Sequence, residues 1–431
     1  MRATRERPAI RPPRQGLRAA ARGAKPDGEM SLPDFRSATF LRSHIAWMTS
    51  FLHPRCIDPR GGFFHYYGLD GTPFDRDRRS LVSSARMVVS LAMAARALGT
   101  DAHDAAIRHG LSFLREAHRD KATGGHAWQL AWRDGAWRAS DPANQCYGHV
   151  HVVLAHAHAL AAGFGEARAW LEETFETMER HLWEPAHSLY ADVASPDWSS
   201  IDPYRGQNAN MHGCEAMLAA HAATGEARYL DRAAAIAHAI CVRQAALAGG
   251  LVWEHYRADW TPDWDYARGD FSNSYRPWGF QPGHQAEWAK LLVLLHARRP
   301  EPWMMERARA LFDAAMERGW DQAHGGLVYS LEPDLSVANA DKYFWVQVEA
   351  AAAAGLLARA TGEDGYARAH DRLWAYCWEH MVDHELGSWR KILGPDHARI
   401  ATDKGSGGKD YHVVGACFDL LEPAPPPRSP R

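Results

Sequence analysis

Hydrophobic and polar positions along the chain sort into two alternating kinds of helix-like stretch. In the first kind, predicted at about residues 38–53, 101–118, 165–181, 226–246, 301–318 and 364–380, apolar residues recur every three to four positions with Arg and Glu between them, as in Arg307, Arg309 and Glu317. Such amphipathic helices keep one face in water. The second kind, predicted at about 80–97, 144–162, 207–223, 283–297, 342–360 and 411–421, is dominated by Ala, Leu and Val and carries few charges after its first turn or two. A helix that is apolar all round belongs in a core. The second set is therefore expected to form an inner ring and the first an outer one.

Between paired stretches sits a turn-rich segment with aromatic residues. It occurs as Gly61-Gly62-Phe63-Phe64, Gly124-Gly125-His126-Ala127-Trp128, His187-Ser188-Leu189-Tyr190, Gly249-Gly250-Leu251-Val252-Trp253, Gly325-Gly326-Leu327-Val328-Tyr329 and Leu386-Gly387-Ser388-Trp389, mostly at intervals close to 62 residues. Asp-containing turns such as Arg133-Asp134-Gly135 and Pro333-Asp334 follow most of them. Each unit reads as helix, short β-hairpin, helix, and self-similarity at a fixed period marks a repeat architecture. Six helical hairpins close most economically into a ring, so an all-α (α/α)6 barrel with short β-hairpins at one mouth is predicted over residues 30–422, as a single domain.

Composition adds limits. The 431 residues carry a formal net charge of -3, which offers no bulk attraction to nucleic acid or to a membrane surface. No run is expected to reach the roughly 20 apolar residues of a membrane span. Six cysteines lie far apart without a Cys-x-x-Cys pair, which argues against a disulfide framework or a zinc knuckle and fits the cytoplasm. Residues 1–29, rich in Arg and Pro, lack the apolar stretch of a signal peptide and are expected to be a disordered extension ahead of Met30; the Pro-rich tail at 423–431 is expected to be disordered too.

The polar residues of the inner set cluster at helix starts: Arg86, Tyr147 and His149, Asn208 and His212, His284 and Glu287, Lys342 and Glu349, Tyr411 and His412. Six N-termini facing one mouth would gather these side chains together with the positive ends of six helix dipoles. His284 and Glu287 share a face at i, i+3, and a carboxylate beside an imidazole raises its basicity and fixes its tautomer, as a proton-transfer histidine needs; a structural His–Glu pair would look the same. Asn208 and His212 are four apart. His412 follows Gly405-Ser406-Gly407-Gly408-Lys409, whose spacing is not that of a phosphate loop. Arg86 sits in an apolar run, so its guanidinium should meet a ligand oxygen or a carboxylate such as Glu349. Trp128, Trp278, Trp345 and Trp389 could stack on sugar rings or fill the core. The run from His149 to His158, with His151 and His156, contains no His-Glu-x-x-His and no obvious acidic third ligand, so no metal is expected there.

Taken in order, Ser84-Ala85-Arg86-Met87, Tyr147-Gly148-His149, Arg205-Gly206-Gln207-Asn208-Ala209-Asn210-Met211-His212, Pro282-Gly283-His284-Gln285-Ala286-Glu287-Trp288, Lys342 to Glu349 and Asp410-Tyr411-His412 resemble the N-acylglucosamine 2-epimerase superfamily over about residues 35–421. The segment at 277–288 is most similar to the mannose isomerase and sulfoquinovose isomerase branch. The resemblance implies an (α/α)6 barrel that acts on a monosaccharide with neither metal nor other cofactor, as a monomer or homodimer. It implies that His412 is the base at C2 and C1, that His284, oriented by Glu287, moves protons between the oxygens, and that His212 assists ring opening. Arg86 would polarise the carbonyl, while Asn208, Tyr147, Trp345, Glu349 and Trp288 would hold the sugar. The Gly405–Lys409 stretch and Tyr343-Phe344-Trp345 depart from the usual pattern and leave the sugar open. Aldose–ketose isomerisation is the expected activity; a 2-epimerase, an inverting glycoside hydrolase with paired carboxylates and a non-catalytic sugar binder are its rivals.

Overall fold

A computed structural model describes residues 32–68, 71–273, 275–400 and 411–421. The expected disordered segments at 1–29 and 423–431 and the loop at 405–409 lie outside the described residues. The helices are α1 (Ala38–Leu52), α2 (Leu81–Leu98), α3 (Asp104–Phe113), α4 (Cys146–Ala161), α5 (Ala167–His181), α6 (Gln207–Thr224), α7 (Ala227–His238), α8 (Pro282–His296), α9 (Pro302–Gly319), α10 (Phe344–Thr361), α11 (Asp364–Tyr376) and α12 (Tyr411–Asp419). Three outer helices, α3, α7 and α11, run on into wider π-type turns at Leu114–His118, Ala239–Gln244 and Cys377–Met381.

The even helices pack in sequence, α2 on α4, α4 on α6, α6 on α8, α8 on α10 and α10 on α12, and α12 returns to α2 and closes the ring. Each of α3, α5, α7, α9 and α11 lies against the even helix before it, and α1 covers α12 and α2. This is the expected (α/α)6 barrel. Its inner wall follows from composition: every residue of α4 from Cys146 to Ala159 is buried, and Ala350 to Ala354 in α10 let neighbouring backbones approach. Local signals set the ends. Ser80 accepts a hydrogen bond from the Ser83 amide at 3.1 Å and caps α2, Pro282 opens α8, and α6 and α10 stop at Gly225 and Gly362 with φ of 75° and 72°. By length and composition alone, the 18-residue α2 passes for a membrane span, contrary to the expectation that no run approaches one; 78% of it is buried in the ring, so it is a core helix.

The hairpins are stitched between units as well as within them. Strands just before the inner helices pair with the next unit: Arg78–Ser80 with Gln129–Arg133, Asn144–Gln145 with Val193–Ala194, Arg205–Gly206 with His255–Tyr256, and Lys342–Tyr343 with Ile392–Leu393. Each pairing anchors an inner N-terminus to its neighbour's hairpin, so these units share a stitched rim at the mouth. It also delays two helix starts, α4 to Cys146 and α10 to Phe344. Lys342, expected among the polar side chains at helix starts, is instead a buried strand residue whose ammonium meets Asp321 at 2.9 Å.

Two glycines test this packing. A Cβ on Gly283 would stand 2.6 Å from Cζ3 of Trp345, whereas one on Gly365, at the start of α11, would meet nothing within 4 Å. Gly283→Ala is expected to destabilise by about 1–3 kcal/mol through overpacking. Gly365→Ala should stabilise by about 0.4–1 kcal/mol by restricting the unfolded chain. Urea midpoints check both, and equal midpoints would contradict the packing described.

Candidate active site

All six inner helices send side chains to one cluster. Arg86 of α2 lies 4.3 Å over the ring of Tyr411 of α12, and Tyr147 of α4 meets His212 of α6 edge-on at 5.2 Å. His212 is 6.3 Å from His412, and Trp345 of α10 lies 4.9 Å from His284 of α8 and 5.8 Å from His412, ring centre to ring centre. The convergence expected from the sequence is therefore real for Arg86, Tyr147, His212, His284, Trp345 and His412.

Each of the three histidines is held through Nδ1 by a carboxylate. His284 faces Glu254 Oε1 at 2.9 Å, His212 faces Glu215 Oε2 at 2.9 Å, and His412 faces Glu349 Oε1 at 2.7 Å. An ionised carboxylate keeps the proton on Nδ1 and leaves Nε2 as the basic nitrogen. Behind Glu254, Gln207 donates to its Oε2 at 2.9 Å and in turn accepts from the Trp288 indole at 2.7 Å. Two expectations are corrected here. Glu287 does not orient His284, because the hairpin carboxylate Glu254 takes that position. Trp288 is wholly buried and braces Gln207, so it is not a sugar contact.

Glu287 has a different environment. Neither of its oxygens finds a hydrogen-bond partner among the described residues, and Oε1 lies 3.8 Å from His212 Nδ1. Burial, and then the charge of Glu349, push its carboxyl well above the usual range, which favours the neutral acid. Burial would also raise Glu349, but the Lys290 ammonium 2.6 Å away and the hydrogen bond from His412 hold it below the usual range. Two adjacent carboxyls are thus pushed in opposite directions. His212 is pushed well below its ordinary value by burial and by Arg86, so it stays neutral.

Other expectations shift with the geometry. Arg86 donates from Nε to His151 Nε2 at 3.1 Å and from Nη2 to Tyr147 Oη at 2.8 Å, while Glu349, its expected partner, takes Lys290 and His412. Asn208 donates to the Tyr275 carbonyl at 3.1 Å and leaves Oδ1 buried without a partner among the described residues. Trp345 is half-buried and Trp128 meets Tyr275 edge-on at 5.4 Å, but Trp278 and Trp389 are core residues, the latter donating to His44 at 3.1 Å. In the histidine run, His149 and His151 bond back to the carbonyls of Gln145 and Tyr147, at 2.9 and 2.7 Å, and His156 packs near Trp170. Donors that could hold a metal ion converge elsewhere: His212, Glu215 and Glu287, and Glu287, Glu349 and His412, lie within 4.8 Å of one another. In the second group the Lys290 ammonium already supplies positive charge.

Sequence reasoning missed Glu254, Glu215, Gln207 and Lys290. Glu254 and Lys290 were legible by the argument used for Arg86, since each is a lone charge in an apolar run, Leu251-Val252-Trp253-Glu254 and Ala289-Lys290-Leu291-Leu292.

The fold is an (α/α)6 barrel, and the cluster at its mouth is equipped for acid–base chemistry on a bound substrate. The chain matches the family described as N-acylglucosamine 2-epimerase (GlcNAc 2-epimerase) over residues 62–416, and it belongs to that family. It is 46% identical over 395 residues to a D-mannose isomerase of Marinomonas mediterranea, covering 91% of this chain and 99% of that one. A crystal structure of a D-mannose isomerase matches with a TM-score of 0.87 at 45% identity, covering 91% of this chain and all of the other. The cellobiose 2-epimerase of Spirochaeta thermophila shares the fold, with a TM-score of 0.77 at 22% identity over 89% of this chain and 96% of its own. The protein is a sugar isomerase or epimerase.

The corrected pairing changes the expected mutant ranking. Glu254→Gln removes the charge that supports His284 and should lower kcat by about 10²–10⁴-fold. Glu287→Gln replaces a neutral acid by a neutral amide of the same shape and should cost at least tenfold less; steady-state kinetics on both variants decide, and the reverse order would contradict the assignment.

Proposed function

We propose that the enzyme interconverts D-mannose and D-fructose by proton transfer through a cis-enediol, without a metal ion or other cofactor. The observation that carries this reading is the meeting of three carboxylate-held imidazoles with Arg86 at one mouth, in a chain 46% identical to a D-mannose isomerase. In the open-chain aldose, His412 Nε2 takes the proton from C2 while O1 gains a proton, giving the enediol. The same proton returns to C1 from the same face as O2 loses its proton, giving the ketose. His284, backed by Glu254, moves protons between O1 and O2. Neutral His212 assists ring opening, and the protonated Glu287 donates a hydrogen bond to a sugar oxygen. Arg86 stabilises the charge that develops on the enediolate, an electrostatic contribution that is commonly large.

Tyr147, Trp345 and Oδ1 of Asn208, which has no partner among the described residues, hold the sugar. Tyr275 packs 5.2 Å from Tyr147 and 5.4 Å from Trp128, and a ring beside the site in that position would favour a monosaccharide over a disaccharide. Six free buried cysteines fit the cytoplasm, where the enzyme would act in carbohydrate metabolism as a monomer or homodimer. The hydrolase alternative is disfavoured because Glu254, Glu215 and Glu349 each hold an imidazole. Glu287 and Glu349 lie within 4.8 Å, closer than the roughly 6.5–9.5 Å that an inverting pair needs.

Pure enzyme in D2O with mannose, fructose, glucose or cellobiose, followed by NMR, tests the reading: mannose should give fructose, and prompt formation of glucose from mannose would make the enzyme a 2-epimerase. His412→Ala should abolish both turnover and exchange at C2; exchange at the parental rate would transfer the base role to His284. EDTA should leave the rate unchanged, and loss on chelation with rescue by zinc or manganese would overturn the metal-free mechanism.

A further inference from the structure

Lys290 lies two turns into α8, where an ammonium is costly, and is only 2% exposed. Its Nζ is 2.6 Å from Glu349 Oε2 and 3.8 Å from Asp419 Oδ2. The other oxygen of Glu349 is the one that holds His412 Nδ1, at 2.7 Å. A chain of contacts therefore runs from α8 through α10 to α12, and α12 is engaged at both ends, by His412 in its first turn and by Asp419 at its last residue. The acidic groups around the ammonium are Glu349, Glu287 on its own helix, Asp419 and Glu215. They are not equivalent. Burial pushes Glu287 well above the carboxylate range and Asp419 stands 3.8 Å off, so Glu349, at 2.6 Å, is the anion that Lys290 chiefly serves.

We propose that Lys290 is a positioning residue of the reaction: by keeping Glu349 ionised it holds His412 in the tautomer whose Nε2 is unprotonated and can act as the base. The inference deepens the proposed role of His412 and rests on it. Without the ammonium, Glu349 would be a buried carboxylate held only by the hydrogen bond from His412, and burial would drive it to take up a proton. A protonated Glu349 donates to Nδ1, which must then accept. The imidazole proton moves to Nε2, and the nitrogen aimed away from Glu349 no longer takes a proton from carbon. For packing alone, an apolar side chain of similar volume would serve as well as a buried ion pair; the consequence specific to Lys290 is the state of Glu349.

The test compares Lys290→Met, Glu349→Gln and the double variant, each checked for folding by circular dichroism and thermal melting. Lys290→Met should lower kcat about 10²-fold with KM for mannose within about threefold, in the range of a lost general base. Its rate should recover as pH rises, because deprotonating Glu349 restores the tautomer, so the acid limb of the kcat profile should move up by about one pH unit or more. A purely structural role would leave that limb in place. The double variant should match Glu349→Gln within threefold, since Lys290 acts only through that carboxylate. A parental kcat in Lys290→Met, an unmoved acid limb, or a double variant more than threefold below Glu349→Gln would overturn the proposal. If Lys290→Met does not fold, the comparison of the double variant with Glu349→Gln decides, because that pair buries no Glu349 charge. An active His412→Ala would instead sink the role of His412 itself, whereas an inactive one beside a fully active Lys290→Met removes only the inference about Lys290.

Discussion

Six helices packed on all sides around one axis leave ionisable groups almost nowhere to go, and that constraint organises the rest of the molecule. Along most of α4, α6 and α10 no charge is tolerated, so the inner wall is Ala, Val and Leu. Polar side chains are confined mainly to the first turns, which all open on the same mouth. The ring thus concentrates Arg86, Tyr147, His212, His284, Trp345 and His412 in one cluster as a by-product of packing. The same geometry points six positive helix ends at that cluster, where a developing enediolate would gain from them.

Concentration creates an electrostatic problem that the second layer resolves. Four glutamates, Glu215, Glu254, Glu287 and Glu349, lie at or under the mouth, and burying that many anions would be ruinous. The structure divides them by partner. Glu215, Glu254 and Glu349 each hold an imidazole, Glu349 also has Lys290, and Glu287, left without a partner among the described residues, is pushed toward its neutral form. Groups of one chemical type thereby acquire different environments, which would let one site hold both a base and a proton donor at one pH.

Architecture was more legible in the sequence than partnership. Amphipathic and all-apolar stretches separate on local pattern alone, so α2 at Leu81–Leu98 and α6 at Gln207–Thr224 fall within a residue of the predicted 80–97 and 207–223. The rim strands were not read, because two-residue pairings such as Arg205–Gly206 with His255–Tyr256 leave no periodic trace. Pairing His284 with Glu287 failed for a related reason. The i, i+3 rule sees only one helix, while Glu254 arrives from a hairpin 30 residues away. The tryptophans show a third limit, since Trp278, Trp345 and Trp389 look alike in sequence, yet only Trp345 keeps part of its ring uncovered.

Trp345 joins the packing constraint to the chemistry. Its ring leans on both His284 and His412, inclined by 35° and 34°, so these two carboxylate-backed imidazoles border one aromatic surface. That position exists only because residue 283 has no side chain: the Cζ3 edge of the indole occupies the space a Cβ would fill. A sugar stacked there would have the proposed carbon base at one side and the proposed oxygen relay at the other. Distance from each imidazole to the reacting carbons, more than the identity of the residues, would then separate isomerisation from epimerisation. Return of the proton to C1 needs only His412, whereas inversion at C2 needs the second imidazole to reach carbon from the opposite face. On the proposed roles, the stretch from Pro282 to His284 would be the part of the chain where backbone packing bears most directly on the outcome of the reaction.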